Sequence, residues 1–297
     1  MDMHALQTFV EVARHGSFSE AAAALYITQP AVSKRVRALE EELGTPLFDR
    51  IGRRTSLTEA GRALLPRARR LLVEAADMLR FASALSEAVG GSLVMGTSHH
   101  IGLHRLPPVL KAFRSDYASV KLDIRFMDSE QACLAVEQGD LELAIVTLPS
   151  TVPENLQVET IWIDRLHVVV APGHPLDRGE KIQLEELAAY PCVLPGTGTY
   201  TRSILRNAIA DLDLELNVSM TTNYLETLKM LVRTGFGWSL IPHTMVDGEV
   251  SVLDTDLHLQ RELGSVIHRQ RTLSNAARAM LETLRADPQQ VGEPAAI

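Results

Sequence analysis

The sequence predicts an α/β protein in three parts: an all-α N-terminal module over residues 1–58, a long helix over 59–89, and a two-lobed α/β region over 90–297. Three observations carry that division. Short amphipathic helical patterns fill residues 1–44, apolar residues then recur every seven positions from Leu64 to Leu85, and from Ser92 strand-like and helix-like segments alternate. The 297 residues are 46% hydrophobic and 22% charged, a balance that supports more than one buried core. The net charge of −8 is unevenly placed: residues 1–89 hold 12 Lys+Arg against 11 Asp+Glu, and residues 90–297 hold 17 against 26. Where positive charge sits, more than the whole-chain sum, governs binding to nucleic acid. No apolar run approaches the ~18 residues of a membrane span. The start, Met1-Asp2-Met3-His4, lacks a basic stretch followed by an apolar block, and Cys133 and Cys192 are too few for a disulfide scaffold. A cytoplasmic chain with no membrane partner is expected.

Leu6, Phe9, Val10 and Ala13 form the apolar stripe of a first helix that stops near Gly16. Ser17-Phe18-Ser19-Glu20 has the form of a capping box, and the alanine run 21–24 favours a short second helix ending around Tyr26. Thr28-Gln29-Pro30 opens a third helix, since a first-turn amide has no intrahelical acceptor to lose. Val32, Val36, Leu39 and Leu43 are its buried stripe, and Gly44 terminates it. Gln29, Ala31, Ser33, Lys34, Arg35 and Arg37 lie off that stripe. A short helix, a tight turn and a helix with a polar-basic outer face make a helix-turn-helix pattern, whose second helix can enter the DNA major groove. Periodicity alone fits equally a three-helix bundle with a solvated basic face. Residues 47–58 then read as two short strands around a glycine tip, carrying Arg50, Arg53 and Arg54 as a basic wing placed to grip phosphates.

Five blocks occur in order: Phe18-Ser19-Glu20-Ala21-Ala22, Thr28-Gln29-Pro30-Ala31-Val32-Ser33, Leu39-Glu40-Glu41-Glu42-Leu43-Gly44, Leu47-Phe48-Asp49-Arg50 and Leu57-Thr58-Glu59-Ala60-Gly61. Together they resemble the N-terminal domain of LysR-type transcriptional regulators, and the resemblance extends over about the whole chain. It implies a winged helix-turn-helix in which Gln29, Pro30 and Ser33 approach bases or backbone. Arg35 lies further along the recognition helix, and Arg50 and Arg53 hold the DNA backbone.

Thr58 can cap a helix over 59–85. Leu64, Leu71, Met78 and Leu85 recur every seven residues, and Leu65, Leu72 and Leu79 repeat the step one position on. Such a seam is the mark of a helix that pairs with another helix; burial against its own chain is the plainer alternative. Arginines 62, 67, 69, 70 and 80 flank it, and Pro66 should kink it or fix its early bend. The resemblance favours pairing, because this segment resembles the family's dimerising linker helix. A two-fold dimer implies a pseudo-palindromic operator. Residues 88–92 form the natural hinge.

Beyond the hinge, strands are expected at 93–97, 121–127 and 141–147, with helices at 107–117 and 129–138. A second set begins near Ile163, with strands at 166–171, 191–194, 215–221 and 238–241 and helices at 201–210 and 224–233. A late helix at 275–284 should return to the first lobe, and residues after Pro288 read as a tail. This assigns 90–162 and 267–290 to lobe I and 163–266 to lobe II. Three helix starts follow strands toward one cleft: Thr97-Ser98-His99-His100, Asp128-Ser129, and Gly196-Thr197-Gly198-Thr199-Tyr200-Thr201-Arg202. Amides, hydroxyls and Arg202 there suit a small carboxylate or other anion, although the glycine-threonine loop alone reads as a plain capped turn. The lobes look like the family's effector domain, similar in fold to periplasmic solute-binding proteins. Gly235-Phe236-Gly237-Trp238-Ser239-Leu240-Ile241-Pro242 resembles the family's glycine-rich stretch. Ser98 and Ser129 match positions that often anchor a ligand acid group, and Thr147 matches a strand end facing the cleft. His99 departs from the small or hydroxyl residue usual at its position; it could donate to an anion or make binding depend on pH. The expected effector residues are Thr97, Ser98, His99, Ser129, Thr147, Thr199, Tyr200 and Arg202.

Other chemistries are weaker. His99, His100 and His104 cluster, but nothing in the sequence completes a zinc site, so no metal is assigned. Cys133 and Cys192 read as inert core thiols. No P-loop, nucleophile elbow or dinucleotide fingerprint is present, so no enzyme and no cofactor are expected. A redox- or metal-responsive regulator of the same architecture is the alternative. The resemblance implies a tetramer made from two dimers, contact with RNA polymerase, and regulation by a small metabolite.

Overall fold

The computed structural model describes residues 2–51, 54–85, 88–212 and 214–287. It forms two compact units, Met1–Leu85 and Ser86–Ile297. The wing tip at Gly52-Arg53 and the expected tail after Pro288 lie outside the described residues.

In the first unit, α1 (Met3–His15) is capped by Asp2 and closed by Gly16 at φ 63°. Ser17 caps α2 (Phe18–Ala24) by accepting the Glu20 N–H at 3.3 Å. Tyr26, at φ 54°, makes the turn into α3 (Gln29–Leu43), which Gly44 closes. Val32, Val36 and Leu39 point into a core with Leu6, Phe9, Val12 and Phe18. Strand β1 (Phe48–Ile51) pairs antiparallel with β2 (Arg54–Leu57). Glu40 ties this hairpin to α3, its carboxylate accepting the N–H groups of Leu47 at 2.7 Å and Phe48 at 3.3 Å.

Helix α4 (Glu59–Ala84) starts at Thr58, whose hydroxyl accepts the Gly61 N–H at 2.9 Å. Gly61 is needed there, because a Cβ would lie 2.2 Å from the Leu47 carbonyl oxygen. The helix continues through Pro66. Its two apolar repeats divide along its length. Leu64, Leu65, Ala68 and Leu72 pack on the module's own core, whereas Met78 and Leu79 are 69% and 70% exposed.

The second unit opens as expected with β3 (Gly91–Thr97), α6 (Leu106–Asp116), β4 (Val120–Phe126), α7 (Ser129–Gln138) and β5 (Leu143–Thr147). A short helix, α5 (His99–His104), begins at the expected helix start after β3 and precedes α6. Strand β6 (Leu156–Val170) is 15 residues long, in contrast to the short strand expected from residue 166. It is followed by α8 (Leu184–Ala189), β7 (Cys192–Leu194), α9 (Tyr200–Ala208), β8 (Val218–Thr221), α10 (Leu225–Arg233) and β9 (Ser239–Pro242). Strands β10 (Ser251–Val252) and β11 (Leu259–His268) and helix α11 (Asn275–Arg285) complete the unit.

The main sheet runs β10-β6-β11-β5-β3-β4, with β9 also on β6, and its centre is antiparallel. The two crossings between lobes are therefore β6 and β11 themselves, paired along their length and bulged at Leu263/Gly264. Strand β11 reaches β5 at Leu263, ahead of the return expected near residue 267. Lobe I has a core of Met95, Ile101, Phe113, Ile145 and Trp162 closed by α11. Lobe II has a core of Leu166, Leu194, Leu205, Trp238 and Leu240.

Candidate functional site

Each unit carries a candidate surface. On α3, Val32 and Val36 take the inner face, which leaves Gln29, Pro30 and Lys34 exposed and Ala31, Ser33 and Arg35 half-buried at its edge. The Gln29 amide donates to Ser33 Oγ at 3.0 Å, so the two first-turn polar groups are ordered together. Arg50 and Arg54 lie in β1 and β2, and Arg53 lies outside the described residues.

In the second unit a cavity of about 50 Å³ lies between the lobes, lined by Ser98, His99, Ser129, Thr147 and Thr199 among others. Ser98 is the N-cap residue of α5, makes no side-chain capping bond and lines the cavity. Ser129 Oγ accepts the Thr147 N–H at 3.1 Å, which joins α7 to the end of β5. Thr199 caps α9, accepting the Arg202 N–H at 3.2 Å and donating to the Gly196 carbonyl at 2.9 Å. His99 stacks edge-on against Tyr224 of lobe II at 4.8 Å between ring centres.

Three expected residues are placed elsewhere. Thr97 is fully buried and its hydroxyl donates to the Ile145 carbonyl at 2.8 Å, so it serves the sheet. Tyr200 packs against the α7 side of lobe I beside Cys133. Arg202 lies against Cys192, and among the described residues its buried Nη1 has no hydrogen-bond partner. For Tyr200 and Arg202 the reason is helical phase: at ~100° per residue, consecutive positions cannot share a direction, and Thr201 is the α9 residue that lines the cavity.

The cavity floor is charged, and the expected set omitted it. Arg261, 5% exposed, donates Nε and Nη2 to Asp164 Oδ2 at 2.9 and 2.7 Å, and Nη1 to Thr201 Oγ1 at 3.3 Å. Arg105 reaches the other Asp164 oxygen at 3.3 Å. Of the lining residues Arg261 is cationic and Asp128 and Glu130 are acidic, and Arg261 shares the buried carboxylate of Asp164 with Arg105 in a region of weak screening. His100 sits beside them, and burial together with Arg261, His104 and Arg105 holds its pKa down to about 2, so the ring is neutral. Hydrogen bonds close the lobes: Asn223 donates to Asp128 at 2.7 Å, the Tyr200 N–H donates to Glu130, and His104 lies 3.1 Å from Glu226. Burial raises the Glu130 carboxyl above its ordinary value.

Cys133 and Cys192 are free and buried, and burial pushes both thiols up to about 11. Neither has the low-pKa, accessible setting of a redox sensor.

Residues 3–62 match the bacterial regulatory helix-turn-helix protein, lysR family, and residues 86–289 match the LysR substrate binding domain. A "Probable RuBisCO transcriptional regulator" of Synechocystis sp. is 30% identical over 287 residues, 93% of this chain and 83% of its own. "HTH-type transcriptional regulator CysB" of Haemophilus influenzae is 33% identical over 267 residues, 88% of this chain and 82% of its own. The solved structure of full-length CbnR complexed with its target DNA has the same fold, with a TM-score of 0.65 at 19% identity over 96% of this chain and 99% of that one. With a helix-turn-helix module, a two-lobed effector-binding domain and both family matches in the expected order, this chain belongs to the LysR family of DNA-binding transcriptional regulators.

Proposed function

We propose that this regulator is controlled by a small anionic metabolite held between its lobes. The observation that carries the reading is Arg261: a buried cation bonded to the Thr201 hydroxyl in a cavity that Ser98 and Ser129 also line. An anion there gains charge-assisted hydrogen bonds away from water. A cavity of about 50 Å³ holds only a few waters, so the ligand enters when the Asn223–Asp128 and Tyr200–Glu130 contacts open. Binding then shifts the balance between open and closed lobes by its differential affinity for them. Ser98, His99, Ser129, Thr147 and Thr199 from the expected set belong to this site, joined by Thr201 and Arg261.

On the DNA side, Gln29, Pro30, Ala31, Ser33, Lys34 and Arg35 read the major groove, and Arg50, Arg53 and Arg54 hold phosphates. The exposed apolar stretch of α4 pairs with a second copy, and two such dimers form a tetramer on a pseudo-palindromic operator. The protein works in the cytoplasm, binds without catalysing a reaction, and signals to RNA polymerase.

Footprinting on the DNA upstream of its own gene, with and without a panel of small organic acids, tests this reading. A protected dyad whose length changes with one acid is expected. Protection unaffected by every acid would remove the cleft assignment, and no protection at low salt, where phosphate contacts are strongest, would remove the DNA assignment.

A further inference from the structure

Beside the effector cavity, two histidines and a carboxylate converge from opposite lobes. His100 and His104 lie four residues apart on α5, with ring centres 4.8 Å apart. Glu226, in the first turn of α10 in lobe II, brings Oε1 to 3.1 Å from His104 Nε2. One donor atom from each residue lies within 4.8 Å of the others, the one such convergence among the described residues. A tetrahedral ion with N and O ligands at ~2.0–2.2 Å separates its ligand atoms by roughly 3.4 Å. Contraction of at most about 1.4 Å therefore suffices, within reach of side-chain rotation at two partly exposed residues.

The buried member points to a ligand independently. The His100 side chain is 4% exposed, yet neither ring nitrogen has a hydrogen-bond partner among the described residues. A buried polar atom without a partner carries the full penalty of lost hydration. Asp164, 3.7 Å from His100 Nε2, stands where an outer carboxylate orients a ligating histidine. Arg105 and Arg261 share the single carboxylate of Asp164 and so oppose a cation here by one charge, which the anionic Glu226 beside the histidines offsets. His104 and Glu226 are 34% and 39% exposed, which provides an entry path and an open coordination position.

We propose that His100, His104 and Glu226 bind one first-row divalent transition-metal ion, Zn²⁺ by the donor set, and that the ion ties lobe I to lobe II. Imidazole and carboxylate donors with an open position suit Zn²⁺ over Mg²⁺ or Ca²⁺, which prefer all-oxygen shells. The site shares His100 with the lining of the effector cavity, so lobe closure would respond to both the metal and the anion. The metal proposal stands without the anion reading.

The test is Zn²⁺ titration of the full-length chain, purified without a metal-affinity tag, by competition with a chromophoric chelator. Wild type should bind one ion per chain with micromolar or tighter affinity. Glu226→Gln retains an acceptor for His104 but removes the anionic ligand, and His104→Ala removes a partly exposed donor. Each should weaken binding on the order of tenfold or more, with unchanged circular dichroism. Zn²⁺ should also slow amide exchange in both α5 and α10 of wild type and in neither helix of Glu226→Gln. No binding in the micromolar range, or equal binding by all three proteins, would overturn the site. Binding without slower exchange in α10 would overturn its bridging of the lobes.

Discussion

Gly264 shows how much one missing methyl group decides. It lies at the bulge where β11 crosses β6, and a Cβ there would sit 2.0 Å from the Glu159 carbonyl oxygen. Gly264→Ala must push backbone from backbone, since no flexible side chain can yield. Overpacking of this kind costs about 1–3 kcal/mol, and urea unfolding should show a matching fall in midpoint; an unchanged midpoint would contradict the packing. The cysteines allow a second test at this scale. Their thiols titrate at about 11 against about 8.5 for a free cysteine. At neutral pH the reactive thiolate is scarcer by roughly a hundredfold or more. Alkylation of the native protein should be slower than that of the denatured chain by at least that factor, and equal rates would restore a redox reading. Individual site residues were only partly legible for a related reason. Thr199, Tyr200 and Arg202 share a sequence motif, but the turn of α9 directs Thr201 toward Arg261 and Arg202 away from it.

Elements were legible where one face is apolar throughout. The stripe of α3 and the capping of α2 and α4 follow directly from residue spacing. Strands β6 and β11 were harder because each carries a charge at an inward position. Trp162, Asp164, Leu166 and Val168 are buried in alternation, as are Leu259, Arg261 and Leu263. Two alternating patterns, one broken by an acid and the other by a base, were the available signal for both the crossing strands and the charged floor. The linker helix carries its own test. Leu71 is 42% exposed at the start of the uncovered stretch of α4, and burying a leucine contributes about 1.5–3 kcal/mol per copy. Leu71→Asp should shift sedimentation from dimer or tetramer to monomer while the circular dichroism is retained. An unaltered sedimentation coefficient would assign the seam to some other purpose.

Across the whole molecule, the two compact units predict separable functions. Ser33→Ala should weaken operator binding by about 1–3 kcal/mol and leave effector affinity unchanged. Ser98→Ala and Ser129→Ala should each remove a hydrogen bond to a charged ligand, about 1.5–3 kcal/mol, and so raise the effector midpoint tenfold or more. Basal DNA binding should remain intact in both. Loss of both functions in any one variant would show that the sites are not distinct, and an unchanged dose response would move the effector elsewhere.

Sequence by itself determined the order of the parts, the helix-turn-helix, the long linker helix and the family, because these rest on local periodicity, capping and motifs of closely spaced residues. Only the tertiary structure decided what forms the cleft. Asp164 and Arg261 are 97 residues apart and meet through antiparallel crossing strands. His104 and Glu226, 122 residues apart, meet through closure of the lobes. Pairing over such separations depends on how sheets and lobes pack, and no local pattern encodes it.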